Sequence, residues 1–174
     1  LDLYATLFEI IDMRSFSNLW YWIGLAVAWS MASYWVMGVP YDMIQRAGRV
    51  EGDAQDDLET IVRVNCNRIT SLSEQSGLSM IAVASAILTS LVIMGFWYSI
   101  EFAQAVFLLM FPMMFVGLLS VRAAIMIQRR ELSGKALRSY MLRHRLMVQL
   151  IGMVAILITA MWGMYHNLAY GVLR

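Results

Sequence analysis

The sequence predicts an all-α, polytopic membrane protein with four transmembrane helices, an N-terminal amphipathic interfacial helix and a cytoplasmic surface helix. Three observations carry that expectation. Of the 174 residues, 60% are hydrophobic and 14% charged, against roughly 45–50% and 25% in soluble domains. Four apolar runs, over residues 19–39, 78–100, 102–127 and 146–166, each reach the ~20 residues that a bilayer core requires. The Lys and Arg residues outside those runs and at their borders then alternate along the chain as one, four, none, seven and one.

That alternation also sets the orientation. Basic residues collect on the cytoplasmic side of a membrane, so loops 41–76 and 128–145 are expected there, with both termini on the other face, the periplasm of a bacterial inner membrane. The strongest signal is the stretch from Arg122 to Arg145, which holds seven of the thirteen basic residues, among them Arg129, Arg130, Lys135, Arg138, Arg143 and Arg145. These are read as orientation determinants in contact with lipid headgroups. The same charges could face a nucleic acid, but their place between two membrane-length runs favours lipid.

Residues 1–14 form the first segment. Leu1, Tyr4, Leu7, Phe8 and Ile11 recur at helical spacing, with Asp2, Glu9 and Asp12 opposite, the pattern of a short amphipathic helix. Its polar face is acidic, so apolar burial, the attached span or a partner subunit must hold it at the interface. An acidic start without a small-residue cleavage site is not expected to serve as a signal peptide.

Residues 15–174 form the membrane domain. Ser15, Ser17 and Asn18 offer caps for the first span, which Pro40 ends, and Trp20, Tyr21, Trp22, Tyr34 and Trp35 suit the two interfaces. Gly24, Ala28 and Ala32 make a small-residue stripe that a second helix could approach closely. In the first loop, Asp56 with Glu59 resembles a capping box, and Leu58, Ile61, Val62, Asn65, Ile69 and Leu72 share one face of a surface helix. Ser71 with Glu74 predicts a new helix start just before the second span.

The second span carries another small-residue stripe, Ala82, Ala86 and Ser90. Its Ser85, Thr89 and Ser90 could line a pore, or bond to helix carbonyls as Ser and Thr commonly do in membranes. Glu101 sits in a very short break, so the second and third spans must be antiparallel neighbours, with the carboxylate hydrated at headgroup level. Pro112 removes one hydrogen bond from the third span.

Motifs for chemistry are sparse. Cys66 is the one cysteine, which excludes an internal disulfide and a Cys-based zinc or iron–sulfur site within one chain. His144 and His166 lie 22 positions apart, about 33 Å along one helix, too far to share a haem. Met161, Met164 and His166 could form a soft copper site, and Met110, Met113 and Met114 are also clustered, but methionine is a general filler of apolar packing. No ionisable residue lies at the centre of a span, which disfavours ion-coupled transport. Phosphate loops, nucleophile elbows and zinc-protease motifs are absent, so no cofactor is expected.

Over FEIIDMRSFSNLWYWIGLAVAWS, GVPYDMI and EFAQAVFLL, the sequence resembles an uncharacterised family of small alphaproteobacterial inner-membrane proteins, often labelled "component of SufBCD complex". The likeness is most specific over residues 8–43. It implies a bacterial inner membrane and supplies no catalytic residue.

Together these features predict a non-catalytic accessory or scaffold subunit, bound by membrane lipids and by other membrane subunits or copies of itself, with no nucleic-acid partner. A homo-oligomeric channel and a membrane redox protein holding haem or copper are the alternatives.

Overall fold

A computed structural model describes residues 15–50 and 52–171. The amphipathic helix expected over residues 1–14, together with Glu51 and Arg174, lies outside them. The fold is all-α apart from one minimal ribbon, and three of its helices, Asp53–Trp97, Glu101–Arg129 and Gly134–Ala169, are long and apolar enough to cross a membrane.

A 3-10 turn, Ser15–Ser17, leads into α1, Leu19–Tyr34. Asn18 caps α1 by accepting the Trp20 N–H at 3.0 Å. The helix stops five residues short of the expected position 39. Pro40 cannot donate, and the residue before a proline is held extended, while Met37 and Gly38 take positive φ of 54° and 79°. The chain therefore folds into a tight antiparallel ribbon, β1 (Trp35–Val36) against β2 (Val39–Pro40). At 16 residues α1 is about 24 Å long.

The expected surface loop is mostly helix. α2, Tyr41–Arg49, turns Ile44 and Ala47 inward and Asp42, Arg46 and Arg49 outward. After Gly52, α3 runs without interruption through Asp53–Val92 and ends in a π-helical turn, Ile93–Trp97. The expected separate surface helix and second span are one rod of helix, and the Ser71–Glu74 signal marks no boundary. A capping box starts a helix only where the preceding backbone departs from helical geometry. Here Leu58, Val62 and Cys66 anchor the first half by burial, and hydroxyls that could cap bond backwards instead, Thr70 to the Cys66 carbonyl at 2.8 Å and Ser79 to that of Ser76 at 2.9 Å.

α4, Glu101–Arg129, passes through Pro112, and α5, Gly134–Gly171, begins twelve residues before the expected start of the last span. The loop expected over 128–145 contracts to residues 130–133, so Lys135, Arg138, Arg143 and Arg145 stand on α5. The helices run alternately up and down, with two ends: a basic end at the α4–α5 turn and an opposite end at Glu101.

Two cores hold the bundle. At the basic end, Val36, Val39, Ile44, Leu58, Val62 and Cys66 pack with Ala123, Ala124, Ile127, Leu137 and Met141, a contiguous core to which the ribbon, α2, α3, α4 and α5 all contribute. Deeper in, Leu25 and Trp29 of α1 meet Ala155 of α5. Gly152 makes that second contact possible, since a Cβ there would stand 2.7 Å from the Trp29 ring.

Candidate functional site

At the basic end, polar side chains join elements distant in sequence. Glu59 accepts the Gly134 N–H and the Gln55 side-chain amide, both at 2.7 Å, so the acid expected to cap its own helix caps α5 instead. A carboxylate at a helix N-terminus is favoured by the exposed N–H groups and the helix dipole. The Gly134 bond, the Gln55 bond and the Arg138 charge hold its pKa below the ordinary 4.5. Arg138 also donates to Gln55. Gln128 donates to Asn67 at 2.7 Å, and Asn65 to the Gly38 carbonyl at 3.1 Å.

Arg145 lies 3.6 Å above the centre of the Tyr41 ring and donates to the Ser33 carbonyl at 3.0 Å, a cation–π contact with a hydrogen bond that fastens α1 and α2 to α5. The orientation residues therefore divide. Arg138 and Arg145 are half-buried parts of the fold, whereas Arg129, Arg130, Lys135 and Arg143 are exposed.

A cavity of about 670 Å³ lies beside this core, with Asp56, Glu59, Arg63 and Glu131 at its polar walls and Cys66 among its lining. Burial pushes the Cys66 thiol up to about 11, so at neutral pH it is protonated, a weak nucleophile and a poor metal ligand.

The opposite end holds a second network. Glu101 accepts the Phe16 N–H at 2.6 Å and lies 3.5 Å from His166 Nδ1. Its side chain is only 10% exposed, so the hydrated carboxylate expected from sequence is an acceptor enclosed by α4, α5 and the 3-10 turn. Buried Gln104 donates to the Gly95 carbonyl at 2.7 Å and accepts the Trp162 indole N–H at 2.9 Å. Gly95 permits this, because a Cβ there would stand 2.9 Å from the Gln104 backbone nitrogen. Sequence reasoning missed Gln104; its signal was a lone amide inside an apolar run, which has to find partners once buried.

His166 is drawn to Glu101, while Met161 and Met164 are 60% and 62% exposed, so these three side chains face different surroundings. Among the described residues no three His, Cys, Asp or Glu side chains form a metal-sized group. His144 is buried with Nε2 3.3 Å from Ser120 Oγ. Thr89 and Ser90 donate to the carbonyls of Ser85 and Ala86 at 2.8 and 2.9 Å.

The small-residue stripes fall differently. Ala28 and Ala32 are half-buried, and Gly24 is exposed with nothing within 4 Å of an added Cβ. Ala82, Ala86 and Ser90 all face outward. Over the apolar half of α3, only Leu88 is buried, and Leu78 is 85% exposed. Comparison with protein-family models, curated proteins and solved structures finds no match for this chain.

Proposed function

We propose that this chain is a non-catalytic, multi-pass accessory or scaffold subunit of a bacterial inner membrane, with its basic end in the cytoplasm and the Glu101 end in the periplasm. α1 serves as a fourth crossing. Its leading end meets Glu101 through Phe16 and its trailing end meets Arg145 through Ser33, so it is tied at both ends of the bundle. Its 16 helical residues fall a few ångströms short of a ~30 Å hydrocarbon core, and the flanking Ser15–Ser17 turn and Trp35 make up the difference.

The observation that supports a scaffold is the outward stripe Ala82, Ala86 and Ser90 on the least covered helix. Small residues facing lipid gain little packing there, but they let another helix approach. The polar ends, by contrast, carry networks joined within the chain, Glu59 to Gly134 and Glu101 to Phe16. A channel is the weaker reading, because the Thr89 and Ser90 hydroxyls are spent on their own helix. The test is extraction in mild detergent followed by mass determination of the particle. Ala86→Leu should release the partner, foreign or a second copy, while leaving the helical content of this chain unchanged; a wild-type particle of one chain, unaltered by Ala86→Leu, overturns the scaffold reading.

A further inference from the structure

An apolar groove of about 540 Å³ opens between α4 and α5, lined by Phe107, Phe111 and Phe115 on one side and Leu150, Val154 and Ile158 on the other. It is within the ~300–1,000 Å³ range of ligand pockets, and its lining offers almost nothing polar. Depth limits its occupant. Glu101 and Arg122 are 21 residues apart on α4, about 32 Å by helical rise, and Phe111 lies near the midpoint. The groove is therefore at mid-bilayer depth, where a polar ligand is excluded and hydrocarbon is at home.

Charge identifies the rest of the ligand. Residues seven apart share a helical face, and seven positions from Phe115 toward the basic end stands Arg122, as Arg143 stands seven from Leu150. Both arginines are exposed, and among the described residues neither pairs with a carboxylate. Arg143 rests against its neighbour Tyr140, its guanidinium carbon 5.9 Å from the ring centre. The two face lines of the groove thus end in two cations about 10 Å from its near edge.

We propose that this groove and these arginines form a binding site for one anionic phospholipid, its phosphate between Arg122 and Arg143 and an acyl chain in the aromatic groove. The site rests on the bilayer placement above but not on which face is cytoplasmic or on any protein partner. Each basic side chain beside a net anionic headgroup contributes about a fivefold gain in affinity, and the choline cation of phosphatidylcholine offsets its phosphate, so phosphatidylglycerol should bind about twenty-five times more tightly than phosphatidylcholine.

Native mass spectrometry of the detergent-purified chain, titrated with each lipid, tests this. One phosphatidylglycerol should be retained per chain. Arg122→Gln with Arg143→Gln should abolish the preference, Arg122→Lys with Arg143→Lys should keep most of it, and Arg129→Gln with Arg130→Gln, the same charge loss off the groove line, should leave it within twofold. Val154→Phe and Ile158→Phe, filling the groove from separate positions, should each lower retention of both lipids. A preference that survives the first pair, or falls equally with the control pair, overturns the headgroup assignment. Unchanged retention in both groove-filled variants overturns the acyl seat, and a lipid-free particle containing two chains gives the groove to a second copy. Cellular orientation does not enter these measurements, so an error in topology leaves their outcome unchanged.

Discussion

Glu59 receives the backbone N–H of Gly134 at 2.7 Å, joining the second turn of α3 to the first residue of α5 across 75 positions of sequence. Glu59→Ala should cost about 1 kcal/mol, the ordinary loss when a helix N-cap is removed. Because its pKa is lowered in the fold, the unfolded chain binds more protons around pH 4.5, and stability must rise with pH there. The contribution is complete above 4.5 and is lost as pH falls through the depressed folded value. Thermal unfolding of the detergent-solubilised protein between pH 3 and 6 should show a steeper acid limb in wild type than in Glu59→Gln; parallel limbs would refute the assignment.

Gly152 and Trp29 make a contact that admits no extra atom. An added Cβ would stand 2.7 Å from the buried ring, so Gly152→Ala should destabilise by about 1–3 kcal/mol, the range for overpacking. Gly24→Ala, with open space around it, should stay within about 0.5 kcal/mol of wild type. Adding Trp29→Phe should recover part of the Gly152→Ala loss, the non-additivity expected of neighbours. Equal stability of both glycine variants would show that α1 does not pack here.

Much of this bundle was legible because hydropathy acts locally. Three apolar runs lie within helices long enough to cross a bilayer, and the tight turn at Glu101 follows from its neighbours being apolar. What was hidden depends on long-range partners. Nothing near Ser71 shows that Leu58, Val62 and Cys66 dock onto Ala123, Ala124 and Leu137, and that docking makes α3 continuous. Pro40 was visible as a stop, but the positive φ of Met37 moved the stop back to Tyr34. Arg138 and Arg145 look like their exposed basic neighbours in sequence; only Gln55, Tyr41 and Ser33 set them apart.

Glu101 and Phe16 form the clasp at the other end, a carboxylate accepting a main-chain N–H at 2.6 Å. Charge-assisted bonds are shorter and stronger than neutral ones, and leaving a buried donor unmet costs about 1–3 kcal/mol. Glu101→Ala should therefore lower stability by that amount and speed hydrogen exchange at Phe16. Glu101→Gln keeps an acceptor oxygen and should fall between. If exchange at Phe16 is the same in all three proteins, the 3-10 turn is held by its other ties, the Ser17–Asn167 and Trp22–Phe16 hydrogen bonds and the Phe16 ring contacts with Tyr21 and His166.

Cys66 makes the topology directly testable, since it is fully buried and its thiol is held protonated. Wild-type protein in intact cells should resist maleimide labelling, leaving a silent background for introduced cysteines. Tyr98 is 68% exposed beside the Glu101 turn, and Ser133 is exposed at the basic turn. With the basic end cytoplasmic, Tyr98→Cys should react with a membrane-impermeant maleimide in cells whose outer membrane alone is opened, and Ser133→Cys only after the inner membrane is broken. The reverse pattern would invert the chain in the membrane, and the seven basic residues between Arg122 and Arg145 would then have to lie outside despite the bias that retains such clusters in the cytoplasm. Labelling at both positions in intact inner membranes would mean that α4 does not cross, removing the mid-bilayer placement of Phe111.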